Sequence, residues 1–347
     1  MMKKTTALWM CLGLTAITFG CPARNPHGPM RMSQAPTVTA DHFRIFNKEG
    51  EPAGLEEIVR AAASADVVFI GEEHGNPVGH HLELELLKRL HAACSAQDAG
   101  RPRRDLVLAM EMFERDIQGV VDEYLADLIT ERHFLRASRP WPAYRRDYRP
   151  LIEYAKARGI PVKAANAPGR HVNRVARLGR ASLEALPPAS RAWLPPLPYG
   201  RPSEEYREKF KAFWEAVPAE GPGHGPGSDS PADKPAPAPI PPEAETEARD
   251  GFERMLDAQS LWDAGMAWSL AEILEERPGA LALHINGKFH SESGLGIPDH
   301  LRRYRPGVSV VTVTILSLAA FPDFDPEAAG AGTFIILTDP SLAEEAG

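Results

Sequence analysis

Val67-Val68-Phe69-Ile70-Gly71-Glu72-Glu73-His74-Gly75-Asn76-Pro77 is the stretch from which the fold is read. Its leading residues are apolar and mostly β-branched or aromatic, the composition of a buried strand. Two acids, an imidazole and flanking glycines follow and read as a loop. Asn76 has the character of a helix N-cap and Pro77 of a first helical residue, opening a helix over Val78 to Ala93 whose Leu82, Leu86 and Leu90 recur at helical spacing. In a parallel sheet such a loop lies at the carboxyl edge, where open α/β folds place ligands. Glu72, Glu73 and His74 are therefore candidates for a cleft. The plainer alternative is a loop whose acids cap the helix and whose histidine is solvated.

Working outward, Glu56 to Ala65 reads as a short helix leading into this strand. Asp105 to Glu111 is a second strand that ends on an acid, followed by a helix over Gln118 to Ile129 with Val121, Leu125 and Leu128 on one face. A basic, aromatic stretch from Arg139 to Pro150 precedes a helix over Leu151 to Ala157. Gly159 to Ala165 is a third strand, ending at Asn166-Ala167-Pro168. A charged helix is expected over Glu204 to Ala216, and a long helix, or two joined near Asp263 to Gly265, over Thr246 to Glu276. Leu281 to Ile285, Val308 to Ile315 and Thr333 to Leu337 complete the strands. Alternation at this interval predicts an α/β fold, a mainly parallel central sheet with crossover helices and an inserted helical region.

The chain has 347 residues, 43% of them hydrophobic, ample for a large core. A formal net charge of −8 with no long Lys/Arg run argues against a nucleic-acid-binding surface. Lys3 and Lys4, the uncharged stretch Thr5 to Gly20 and then Cys21 have the form of a bacterial secretory signal. Gly20-Cys21 resembles the end of a lipoprotein cleavage box, with Thr18 where Leu is usual. Residues 1–21 are thus expected to be a signal peptide, with Cys21 lipidated and the protein exported to a bacterial cell envelope. An ordinary signal peptide or a retained anchor is the alternative. Residues 22–42 read as a tether, 43–340 as a single α/β domain, and the Pro/Ala/Gly-rich segment 218–242 as a disordered insertion. Cys94 is the one cysteine in the body besides Cys21, so no internal disulfide or cysteine-rich zinc site is possible, and it is expected to be a core thiol.

If the sheet is parallel, the strands deliver Glu72, Glu73 and His74, then Glu111, Asn166, and Gly287 to His290 to one edge. Two G-x-x-H segments, Gly71 to His74 and Gly287 to His290, bring imidazoles and carboxylates to one cleft. Such a set suits a divalent metal such as zinc or manganese on His74, Glu111 and His290, or general acid/base pairs. The plainer alternative is that His290 belongs to a polar loop and Glu111 caps the next helix.

Taken together, Ile70 to His74 with Asn76, Met110 to Phe113 with Gln118, Trp141, Tyr148 to Leu151, Ala165 to Pro168, Ala258-Gln259 through Asp263 to Ala267, and Gly287 to His290 running into Gly296 to Pro298 resemble the ChaN-like haem-binding lipoproteins of the Tiki, TraB and erythromycin-esterase-like superfamily. The resemblance implies surface haem binding, homodimerisation around paired haems and a role in haem and iron uptake. It also implies a tyrosine on the haem iron, with Tyr148 as the matching position and Tyr144 as the fallback. A phenolate suits ferric iron, and Arg145, Arg146 and Arg149 are placed to hold propionates. The chain departs from the family pattern at Gly169, where Arg often follows N-x-P, at the bulky Lys288-Phe289 and in the 218–242 insertion. The wider superfamily offers another class, a Tiki-like metal-dependent protease or an esterase. His74, Glu111 and His290 would form its site, with Glu72 or Glu73 assisting the attacking water.

Overall fold

The computed structural model describes residues 37–96, 103–216 and 242–344. The signal expected over 1–21 with Cys21, the tether up to residue 36 and the insertion up to residue 241 lie outside the described residues.

Eight strands form one sheet: β1 Phe43–Asn47, β2 Pro52–Ala53, β3 Val67–Glu72, β4 Leu106–Glu114, β5 Val162–Asn166, β6 Leu281–Gly287, β7 Val310–Ser317 and β8 Phe334–Thr338. Their order is β2-β1-β8-β7-β3-β6-β4-β5. From β8 to β5 all neighbours are parallel, while β1 runs antiparallel to β8 and to β2. This is the mainly parallel α/β architecture that the alternation predicts. β6 enters between β3 and β4, so the carboxyl ends of these three strands stand side by side.

The run Val67 to Ile70 is apolar without alternation because both faces of β3 are covered. Val68 and Ile70 join Leu82, Leu86 and Leu90 of helix Pro77–Ser95 in one cluster. Val67 and Phe69 join Met266 and Leu270 of helix Pro242–Glu276 in another, on the opposite face. Helix Pro77–Ser95 begins as expected, with the Asn76 side chain accepting the Val78 and Gly79 N–H groups and Pro77 in the first turn. Cys94 is buried and free, as expected of a core thiol. Among the described residues no helix is long and apolar enough to cross a membrane.

The structure corrects several boundaries. β1 and β2 occupy a stretch for which the sequence reading gives no element, since Phe43-Arg44-Ile45-Phe46-Asn47 is too short for a clear alternation and is held by its pairing with β8. The helix expected over Gln118 to Ile129 stops at Leu125, because Asp127 adopts a positive φ of 58° and the chain turns there. Leu128, assigned to the apolar face, is 74% exposed as a result. Helix Pro242–Glu276 is continuous through Asp263 to Gly265.

Leu86 is wholly buried between its helix and the sheet. Leu86→Ala should cost about 2–5 kcal/mol, transfer and cavity terms together. The measurement is the urea midpoint at constant m-value; a loss below about 1 kcal/mol would mean that the site collapses around the smaller side chain.

Candidate functional site

Parallel pairing sets Glu72, the last residue of β3, opposite Gly287, the last of β6. On the other side of β6 stands β4, whose Glu111 accepts the Gly287 N–H through Oε2 at 2.7 Å. Two glycines make this convergence possible by close approach. A Cβ on Gly71 would lie 2.9 Å from Lys288 Cα, and one on Gly287 would lie 3.0 Å from His74 Cε1 and Nε2. The His74 ring therefore rests against bare β6 backbone.

Glu72 is the hub. Its Oε1 accepts from the Tyr148 hydroxyl at 2.5 Å and lies 2.6 Å from His74 Nδ1. Its Oε2 lies 3.3 Å from Nδ1 of His80, and the same nitrogen lies 3.2 Å from Glu83 Oε2. His80 and Glu83 sit one turn apart on the inward flank of helix Pro77–Ser95. His80 Nε2 faces the Gly75 N–H at 3.2 Å and Asp147 Oδ2 at 3.5 Å. Trp141 packs edge-on against both His74 and Tyr148.

A second group centres on His290. After β6 the chain makes a short 3-10 turn, Lys288–His290. The turn is braced by Lys288 Nζ on Glu73 at 2.7 Å, while Glu73 also accepts the Ser317 N–H. His290 Nδ1 lies 2.5 Å from Asp263 Oδ1, and its Nε2 lies 3.6 Å from Glu111 Oε1. Asp263 comes from the middle of helix Pro242–Glu276.

Burial alone would raise the Glu72 carboxyl, yet the charge of His80 and hydrogen bonds within the cluster hold it well below the usual carboxylate range. Burial and the neighbouring Glu72 charge push Glu83 well above that range. Burial disfavours the charged form of His80, His74 and His290, but adjacent carboxylates win: Glu83 and Glu72 for His80, Glu72 for His74, and Glu111 with Asp263 for His290. All three imidazoles are raised above their ordinary value.

Glu72, His74, Glu111 and His290 thus meet at one edge, as the strand ends predict. Glu73 instead braces the β6 turn and β7. Asn166, at the end of edge strand β5, stands in register with Glu114. The geometry brings a second set of candidate metal ligands together beside the one read from the sequence. His290 and Glu111 face each other at 3.6 Å, but with His74 they do not form a trio whose ligand atoms all lie within 4.8 Å of one another; among the described residues the one such group is Glu72, His80 and Glu83. The tyrosines do not stand at the surface that the resemblance implies for haem. Tyr148 is 1% exposed with its phenol on Glu72, and Tyr144 is buried. Burial, reinforced for Tyr148 by Glu72, pushes both phenols above their ordinary value. Arg145 and Arg149 are solvent-facing and both pair with Glu131; Arg146 pairs with Asp147.

His80, Glu83, Asp147 and Asp263 escape the sequence reading of the site. The available signal was a His-x-x-Glu pair inside an otherwise buried helical stripe, a place where a polar side chain needs a partner. An open cavity of about 820 Å³ lies elsewhere, against Phe43, Phe46 and Phe324, and holds none of the predicted residues.

A family model described as haem-binding uptake, Tiki superfamily, ChaN matches residues 58–301. The chain belongs to the ChaN family. Among solved structures, ChaN of Campylobacter jejuni, described as binding haem cofacially, superposes with a TM-score of 0.60 at 14% identity, covering 88% of this chain and all (100%) of that one. At that identity the likeness shows the fold. The type III effector HopBA1 gives a TM-score of 0.41 at 12% identity, covering 82% of this chain and 93% of its own. A Bacillus cereus protein gives 0.40 at 10%, covering 86% and 95%. No curated protein matches the sequence.

Two further histidines bear on how stability responds to acid. Burial pushes His284, whose Nδ1 lies 3.1 Å from the Ala109 carbonyl oxygen, down to about 3, and His300 down to about 4. An unfolded imidazole takes up its proton near pH ~6.5. Between about pH 6.5 and 4 the unfolded chain therefore binds more protons than the native one at these positions, and stability falls with pH. His74, His80 and His290, being raised, are protonated in both states only below about pH 5.5; their contribution is complete there and is lost as pH rises through their folded values. Between about pH 5.5 and 4.5 the urea midpoint of His284→Asn should fall less steeply with decreasing pH than that of wild type, by roughly one proton. Equal slopes in the two proteins would contradict this.

Proposed function

We propose that this protein binds haem and serves in haem uptake. The observation that carries the reading is the family match over residues 58–301, and the ChaN fold of Campylobacter jejuni accords with it. Export, a lipid on Cys21 and a homodimer sharing paired haems belong to the same proposal. The first two are supported by Lys3, Lys4, the uncharged Thr5 to Gly20 stretch and Gly20-Cys21. The dimer is supported by the cofacial haem binding described for the Campylobacter protein.

Arg145 and Arg149 fit haem propionates, because an exposed pair such as theirs with Glu131 contributes under about 1 kcal/mol and exchanges readily for another anion. Tyr148 as placed does not fit axial ligation. A ferric ligand must be a phenolate, and this phenol is buried and donates its proton to a carboxylate. We therefore assign Tyr148 to holding Glu72. Haem titration of the purified protein from residue 37 onward should give a saturable Soret shift, with Tyr148→Phe leaving the band position and affinity within roughly threefold while costing about 1–3 kcal/mol of stability. Loss of the ferric ligand-field spectrum in that variant would return the iron to Tyr148, and no Soret response in either protein would defeat the haem reading.

One arrangement favours hydrolysis as a second reading, the His290 imidazole held between Asp263 and Glu111. Protonated His290 would donate to a developing oxyanion, and Glu111 would take the proton of the attacking water. On this reading p-nitrophenyl ester hydrolysis falls by about 10²-fold or more in His290→Asn, chiefly in kcat. Equal rates in the wild type and the variant would remove it.

A further inference from the structure

We infer that Glu72, His80 and Glu83 form a buried site for one divalent first-row cation, separate from the His74, Glu111 and His290 set and independent of haem. The first observation is convergence. Glu72 Oε2 and Glu83 Oε2 lie 3.3 and 3.2 Å from the same nitrogen, His80 Nδ1. Metal–ligand bonds of about 2.1 Å place neighbouring donor atoms about 3.0–3.4 Å apart, so these distances are already those of a coordination polyhedron's edges. One proton on His80 Nδ1 satisfies both carboxylates only partly, whereas a cation would meet all three donors at once.

The second observation is what the cluster leaves unsatisfied. Glu72 Oε2 and Glu83 Oε1 take no hydrogen bond, although both side chains are wholly buried. Buried carboxylate oxygens are rarely left so. The two oxygens of Glu72 divide the labour: Oε1 is engaged by Tyr148 and His74, which set the carboxylate's orientation, and Oε2 is turned toward His80 Nδ1 at 3.3 Å without a well-aligned hydrogen bond.

The surroundings complete the chemistry. Two carboxylates and a neutral imidazole carry a charge of about −2, which one divalent cation cancels without leaving a buried net charge. With Nδ1 on the metal, the His80 proton sits on Nε2, directed at Asp147 Oδ2 3.5 Å away, and the Gly75 N–H that faces Nε2 at 3.2 Å turns aside; this gives the carboxylate–histidine–metal order that fixes a ligand ring. Two carboxylates with one imidazole suit manganese, ferrous iron or zinc. Binding displaces the protons of His80 and Glu83, so affinity falls as pH falls.

The test is equilibrium dialysis of the haem-free chain against MnCl2 and, in parallel, ZnCl2, followed by elemental analysis and a thermal melt. Wild type should retain about one equivalent and melt higher with the metal than without it. His80→Asn and Glu83→Gln should lose that equivalent and the shift, Asp147→Asn should weaken binding by roughly tenfold, and His290→Asn should bind as wild type does. Circular dichroism identifies any variant that has not folded. If so, the wild-type stoichiometry and the milder Asp147→Asn carry the decision. Absence of bound metal in wild type, or a full equivalent in folded His80→Asn and Glu83→Gln, overturns the site. Because no haem is added, neither result depends on the haem titration.

Discussion

The parallel pairing of β6 between β3 and β4 is the constraint on which the rest depends. It sets Glu72 opposite Gly287 and lets the Gly287 N–H reach Glu111, so residues more than two hundred positions apart in the chain share one edge. Glycine at 71 and 287 is the steric condition for it, since a methyl group at either would meet the Lys288 backbone or the His74 ring. The apolar strands beneath bury both faces and supply the stability that lets this edge carry unfavourable groups.

Those groups are costly. Glu72, Glu83, Asp147, Asp263, His80 and His290 are all buried, and ionised side chains leave water only when paired. The fold meets the cost with local opposites: histidines beside carboxylates, the Tyr148 hydroxyl on Glu72, a backbone N–H on Glu111 and Arg146 on Asp147. Three histidines raised by carboxylates and two lowered by burial coexist in the sheet and its flanking helices, because burial lowers each imidazole unless a neighbouring carboxylate outweighs it.

Family membership and side-chain geometry speak to different parts of function. Membership points to haem, for which the proposed reading offers the exposed Arg145 and Arg149. The buried edge gathers carboxylates and imidazoles away from those arginines. One fold can host both, since function resides in sites rather than in the arrangement of strands.

Much of the fold was legible because it is written in local pattern. Val67 to Ile70, Leu281 to Ile285 and Val310 to Ile315 are apolar runs that only a doubly covered strand explains, and Asn76-Pro77 announces its helix by capping chemistry. Glu72, His74, Glu111 and His290 could be named as candidates because each ends a strand or follows one closely. Strand order could not be read, since no local pattern tells that β6 inserts between β3 and β4. β1 was missed because its hold is a long-range pairing with β8, and Leu128 was misplaced because the turn at Asp127 is a backbone choice made against the rest of the domain. His80, Glu83 and Asp263 look like ordinary helical polar residues until packing turns them inward. The sequence by itself determined the fold class, the edge where the chemistry gathers and the family. Tertiary structure decided which carboxylate each histidine meets and that Tyr148 faces Glu72, because those contacts depend on side chains brought together across the sheet, which local periodicity does not encode.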